Sequence, residues 1–210
     1  EIVTTELALV RQFGQRARLT LTAYDNDIAR LITQTYNPRT DMTRFDNARR
    51  LGARGIELEY ERNWASSALL RANLSWNRVG QYAMGPPAPV APAPMASPKM
   101  FVPGAPAPAQ ANAPARLAKL NAALPLAGGW MAGAEAQYVG PRRTSAGSTG
   151  GFCLLNANFY TARLAERVEA SLGIANLLDR RYADPGAAEH TQAAIAQDRR
   201  HAHVRLAYVF

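Results

Sequence analysis

The chain has 210 residues, with 24 Lys and Arg against 16 Asp and Glu, a formal charge of +8 and a sequence pI near 10.1. That length admits one core or one large sheet, and the basic balance admits nucleic acid or an anionic membrane surface as a partner. The basic residues are scattered and form no run of five, which fits a solvated surface better than a nucleic-acid tract. Cys153 is the only cysteine, which excludes an intrachain disulfide and a cysteine zinc cluster. No apolar stretch of about 18 residues runs free of Pro and charge, so no transmembrane helix is expected; strands of about 9 to 11 residues, apolar on one face only, escape that test. The chain opens on EIVTTEL, without an initiator Met or a basic and apolar leader, and is expected to be a fragment or a processed piece.

Taken in chain order, most of the sequence alternates with period two, which places successive side chains on opposite faces of a strand. TTELALVRQF and ARLTLTAYD open the series with weaker alternation. GIELEYER then sets Ile56, Leu58 and Tyr60 against Glu57, Glu59 and Glu61. SALLRANLSWNR puts Ala68, Leu70, Ala72, Leu74 and Trp76 opposite Arg71, Asn73, Ser75 and Asn77. ARLAKLNAALPL repeats the pattern through Ala118, Leu120, Ala122 and Leu124, opposite Lys119 and Asn121. WMAGAEAQYVG groups Trp130, Ala132, Ala134, Ala136 and Tyr138 against Gly133, Glu135 and Gln137. GFCLLNANFY follows, and VEASLGIANLL aligns Val168, Ala170, Leu172 and Ile174 opposite Glu169 and Ser171. The chain closes on HVRLAYVF, with Val204, Leu206, Tyr208 and Phe210 on one face and His203, Arg205, Ala207 and Val209 on the other. Termini fray unless tied down, so this one is expected to be a paired strand, the ninth.

The connections between these strands alternate in length. Short ones fall near FGQR, ERNWAS, PLAGG and TARLAER; long ones span about residues 25–52, 80–116, 140–151 and 182–198. A soluble sandwich has no reason for every second loop to be long, whereas outer-membrane barrels have short periplasmic turns and longer extracellular loops. The apolar faces are mostly Ala and Leu with aromatics near strand ends, as interfacial girdles require. Bacterial single-chain barrels have even strand counts, so nine means either a miscounted strand or a missing part of the barrel. The expected fold is all-β: an antiparallel up-and-down transmembrane β-barrel, incomplete, about nine strands of a larger barrel forming an open curved sheet. The alternatives are a small complete outer-membrane barrel and a soluble basic β-sandwich acting as a binding module. Ten of the fourteen prolines lie in residues 86–114, so residues 83–116 are expected to form a Pro/Ala-rich extracellular loop with partial polyproline II character.

Residues 171–210, SLGIANLLDRRYADPGAAEHTQAAIAQDRRHAHVRLAYVF, resemble the C-terminal end of TonB-dependent outer-membrane receptors. There an Asn-Leu-aromatic-Asp-Lys/Arg-Arg-Tyr segment precedes a loop and a last strand ending in Phe. Asn176, Leu177, Asp179, Arg181, Tyr182, Asp184, Pro185 and Phe210 carry the match, and Leu178 departs from it by replacing the aromatic. Residues 6–32 and 137–144 are also similar to barrel strands of that family. The resemblance implies a 22-stranded barrel with an N-terminal plug, of which residues 1–210 would be the last two-fifths, with the plug domain absent. It implies uptake of a scarce nutrient such as an iron chelate or cobalamin, in the outer membrane of a Gram-negative bacterium. The implied partners are the TonB energy-coupling system acting through the plug, the barrel assembly machinery, lipopolysaccharide and a small-molecule ligand, with no nucleic acid. Leu206, Tyr208 and Phe210 are similar to the assembly signal at the end of such barrels, where pairing is by β-augmentation.

No catalytic constellation is visible, so no enzyme and no cofactor are expected. His201 and His203 share a face and could in principle hold a metal, but a hydrated polar site in the lumen accounts for them, and no metal is expected. Arg142, Arg143, Asp184, Glu189 and His190 lie in the expected extracellular loops and are the candidate ligand-loop residues.

Overall fold

Period-two alternation becomes a single antiparallel sheet in the computed structural model, which describes residues 1–37, 39–83, 113–144, 146–165, 167–186, 190–208 and 210. The strands are β1 (Ile2–Phe13), β2 (Ala17–Asn37), β3 (Met42–Asn63), β4 (Leu69–Ala83), β5 (Arg116–Pro125) and β6 (Trp130–Val139), then β7 (Arg142–Thr144), β8 (Gly147–Thr149), β9 (Phe152–Ala165), β10 (Val168–Ala175), β11 (Ala183–Pro185), β12 (Ala194–Ala196) and β13 (His201–Tyr208). Nine of them form one sheet in the order β1-β2-β3-β4-β5-β6-β9-β10-β13, and β7-β8 and β11-β12 are separate two-stranded pairs. The nine are those expected from alternation. β1 and β13 are the two edges and do not pair with each other, so the described residues close no ring.

Register carries the alternation of each strand across the whole sheet. Leu9, Leu21, Leu58, Leu74, Ala118 and Tyr138 are successive cross-strand partners. Leu124, Ala132, Phe159, Leu172 and Val204 form a second such row on the same face. On the opposite face Gln12, Arg18, Glu61, Arg71, Asn121, Glu135 and Asn156 align. There Arg71 donates to Glu61 at 3.0 Å, and the Asn156 amide donates to Glu135 at 3.1 Å. A slip of one residue would exchange the two faces of a strand, so the apolar rows and the polar rows enforce one register together.

The apolar face is bare. Leu74, Trp76, Leu120, Leu124, Val204 and Leu206 are all exposed, and no other sheet packs on them among the described residues. A soluble sandwich buries such a face against a second sheet; this one presents an apolar surface far larger than water tolerates, and hydrocarbon is the solvent it fits. Two glycines on the polar face let rings lie flat across neighbouring strands. A Cβ on Gly55 would sit 2.7 Å from the Tyr24 hydroxyl oxygen, and one on Gly173 would overlap the His203 imidazole. Each ring belongs to the residue paired with its glycine.

The short connections are tight, as expected. β1 turns into β2 at Gly14, whose φ of 61° lies in the left-handed region. β3 turns into β4 through Ser67, whose N–H donates to the Trp64 carbonyl at 3.0 Å. The connection expected at residues 25–52 differs: β2 has 21 residues and β3 has 22, so most of that segment is paired strand. Only about 9 to 11 residues are needed to cross a bilayer, so the β2-β3 hairpin continues well past the apolar rows. Beyond them neither face need be apolar, and the alternation that marks a strand disappears. The connections at 140–151 and 182–198 likewise contain β7-β8 and β11-β12. Of the Pro/Ala-rich segment 83–116, residues 84–112 lie outside the described residues.

The two faces make a direct test. Ala134→Arg or Leu172→Arg will impair outer-membrane assembly of the full-length protein, scored by heat-modifiable mobility, because a lipid-facing Arg near the bilayer midplane costs about 2 to 4 kcal/mol. Glu135→Gln and Ser171→Ala, on the polar face, will assemble near the unmodified level; equal tolerance at both pairs would overturn the face assignment.

Candidate functional site

At the end of the sheet that carries the long connections, two hairpins separated in sequence meet. β7-β8 pairs Arg142 with Thr149, and β11-β12 pairs Asp184 with Ile195. Arg142 joins them: its guanidinium forms an ion pair with Asp184 and reaches the Ala183 carbonyl at 3.5 Å. The same guanidinium lies 5.6 Å from the centroid of Phe152, whose ring is 4.4 Å from that of Tyr182. Arg142 is only 8% exposed, and Val139, Thr149 and Phe152 beside it are buried. The hairpins therefore share a small core, with a cation held between an aromatic face and a carboxylate. Burial pushes the Tyr182 hydroxyl pKa up, and the nearby Asp184 and Asp198 add to the shift.

A second clasp fixes the start of the last connection. Asn176 is 4% exposed, with φ of 50°. Its side chain donates to the Arg180 carbonyl at 2.8 Å and accepts from the Arg180 N–H at 2.8 Å, closing a small loop on itself. Its own N–H donates to the Asn156 side chain at 2.9 Å, which ties that loop to β9. Asp179, also left-handed at φ 54°, accepts from Arg199 Nε at 2.7 Å and from the Arg200 N–H at 3.1 Å. Asn and Asp tolerate that backbone region better than other non-glycine residues. The Arg199 hydrogen bond, with the Arg200 N–H next, holds the Asp179 carboxyl well below the usual carboxylate range.

Of the expected ligand-loop residues, the structure brings Arg142 and Asp184 together as a partly buried pair. Arg143 and His190 are exposed, and Glu189 lies outside the described residues. Asn176, Asp179 and Tyr182 were marked in the sequence only by resemblance; the structure shows what each holds. Phe152 and Arg199 carried no signal of a loop role. His201 Nδ1 lies 3.1 Å from the Arg199 carbonyl, and the His203 ring covers Gly173, so each imidazole has its own protein contact. Leu206, Tyr208 and Phe210 are exposed at the β13 edge, and the Tyr208 and Phe210 rings meet edge to face at 5.3 Å.

With this geometry in view, the family described as TonB dependent receptor-like, beta-barrel, matches residues 1–177. The chain belongs to that family of Gram-negative outer-membrane proteins. Among solved structures, the FrpB iron transporter from Neisseria meningitidis is 14% identical with a TM-score of 0.69, over 98% of this chain and 30% of its own. The ferric yersiniabactin uptake receptor FyuA from Yersinia pestis is 16% identical with a TM-score of 0.69, over 98% of this chain and 29% of its own. The siderophore receptor PiuA from Acinetobacter baumannii is 18% identical with a TM-score of 0.71, over 98% of this chain and 28% of its own. At such identities the likeness is one of fold, and the chain spans under a third of each relative. No protein of curated function matches it in sequence.

The clasps make two predictions. Arg142→Ala strands Asp184 and uncovers Phe152, and will weaken the joined hairpins by about 1 to 3 kcal/mol, read as faster amide exchange at residues 142–149 and 183–186 with the β5 and β6 amides unchanged. Because the Asp179 pKa is lowered by folding, its stabilisation is complete above the unfolded value of about 3.9 and is lost as pH falls through the lower folded value. Amide protection at Arg200, corrected for intrinsic rate, will thus match at pH 7 and pH 5, and Asp179→Ala will remove it at both.

Proposed function

We propose that residues 1–210 form the C-terminal strands of the barrel of an energy-coupled outer-membrane receptor that imports a scarce nutrient. The observation that carries this reading is an open sheet, unpaired at β1 and β13 among the described residues, that nonetheless matches over 98% of its length under a third of each receptor chain. An open edge in lipid leaves backbone groups unsatisfied at several kcal/mol each, so further strands are required to close the ring. The relatives are named for iron, ferric yersiniabactin and siderophore uptake, which favours an iron chelate as cargo over cobalamin. The long-connection end, with its two clasped hairpins and the Pro/Ala-rich segment 83–116, faces outward and meets the ligand. A plug domain within the ring couples to TonB, and β13 with Leu206, Tyr208 and Phe210 is read by the barrel assembly machinery. No covalent chemistry is involved: loops bind, and force applied to the plug opens the lumen.

A strain stripped of its own ferric-siderophore receptors and expressing the full-length protein will accumulate labelled ferric chelate only when TonB is present. Uptake that persists without TonB, or none across a panel of chelates, would contradict the proposal. Sidedness has its own check. In a Cys153→Ser background, cysteines placed at His190 or in residues 83–116 will react with an impermeant maleimide on intact cells, whereas one at Ala127 will not; the reverse pattern would invert the topology.

A further inference from the structure

One carboxylate on the polar face is joined to the outer loops by an unbroken run of hydrogen bonds. Glu135, midway along β6, accepts from the Asn156 side-chain amide on β9 at 3.1 Å, and the oxygen of that amide accepts the Asn176 N–H at 2.9 Å. Asn176 in turn clasps Arg180 through two hydrogen bonds of 2.8 Å and reaches the Asp198 carbonyl at 3.4 Å. The run thus passes from the middle of the sheet to both ends of the last connection.

A step in the sheet explains why the link falls here. β10 ends at Ala175, beside Asn156, whereas β9 begins at Phe152, so β10 leaves residues 152–155 of that edge uncovered. The last connection takes the place: the Leu177 N–H donates to the Leu155 carbonyl at 2.7 Å, and the Tyr182 ring lies against Phe152. Asn176 therefore begins its turn inside the wall, 4% exposed, where an N–H without an acceptor is costly. Asn156 supplies that acceptor.

Glu135 decides how Asn156 is turned. A side-chain amide carries an oxygen on one branch and a donor nitrogen on the other, whereas a carboxylate only accepts. Glu135 therefore holds the Asn156 nitrogen toward β6, and the oxygen is left pointing at Asn176. Without an acceptor at position 135 the amide has no reason to keep that orientation, and the reverse one would set a donor against the Asn176 N–H. Glu135 and Asn156 also line a hollow of about 400 Å³ on the polar face, with Asn121, Gly133, Asn158 and His203 among its other walls. The inner end of the link thus lies open to the lumen, and its outer end holds a loop.

We propose that Glu135 and Asn156 are positioning residues for ligand capture: acting through Asn176, they set the place of residues 176–184, which bring Tyr182 to Phe152 and Asp184 to Arg142. The inference rests on the receptor reading above. The test uses the full-length protein, with amide exchange followed at Asn176 and Arg180 in detergent, and with binding and uptake of ferric tris-catecholate, ferric tris-hydroxamate and ferric citrate measured on cells. N156L will speed exchange at Asn176 about tenfold, the scale of one lost hydrogen bond. It will raise the chelate concentration for half-maximal uptake by a similar factor and leave the maximal rate unchanged, whereas a variant that merely folds poorly loses maximal rate. E135L will shift both in the same direction to a smaller degree, and E135Q, which keeps an acceptor for the amide, will match the unmodified protein. Asn73→Leu, on the same face of β4 and outside the link, will change neither. Unchanged exchange at Asn176 in N156L would overturn the link, and faster exchange with unchanged half-maximal concentration would overturn the positioning role. Equal effects of E135L and E135Q, or a fall in maximal rate alone, would overturn it too. If the unmodified protein binds none of the three chelates the receptor reading fails and this inference with it; an unmodified protein that binds while its variants are indifferent overturns this inference alone.

Discussion

Lipid cannot hydrogen-bond a peptide group, so every N–H and C=O at membrane depth must find its partner in the protein. For a chain built of strands this constraint leaves one solution, a continuous ladder that closes on itself. The remaining features of the sheet follow from it. Neighbours in sequence pair as neighbours in space, the turns at Gly14 and Ser67 are as short as antiparallel pairing allows, and register runs unbroken from Leu9 to Tyr138. Once the ladder is formed, pleating dictates the rest: one face meets hydrocarbon and the other meets water and polar partners, so Arg71 pairs with Glu61 and Asn156 donates to Glu135 on the side away from Leu58, Leu74 and Ala134.

The same constraint explains what could be read from residues alone. Within the bilayer each strand must alternate, so all nine strands of the sheet were legible, Val168–Ala175 and His201–Tyr208 among them. Past the bilayer the requirement lapses. DNDIARLITQTYN and MTRFDNARR are paired strand in the structure, yet their charges fall on both faces and nothing in their pattern announces pairing. The three-residue strands around Arg142 and Asp184 are too short to show a period. That ion pair closes over 42 residues of sequence, a separation that local patterning cannot bridge.

The loop end shows why a motif and a function are different things. Asn176 and Asp179 stood out in the sequence as part of a family-like segment; in the structure they occupy left-handed backbone and spend their side chains on Arg180, Arg199 and Arg200. Their work is to fix the exit of β10 and the entry of β13. Arg142, expected from the sequence as a ligand-loop residue, instead joins the two hairpins through Asp184 and Phe152. Arg143 beside it remains exposed, so adjacent arginines of one loop have opposite surroundings.

The central claim is that β1 and β13 are edges of a larger ring, and disulfide trapping between strands tests it most directly. In a Cys153→Ser background of the full-length protein, cysteines at the partner positions Leu172 and Val204 report a neighbouring pair. Cysteines at Leu9 and Leu206 report the two edges. The account predicts that oxidised outer membranes contain the first crosslink and lack the second. An efficient Leu9 to Leu206 crosslink, matching that control, would mean that the described sheet closes on itself and would contradict the account.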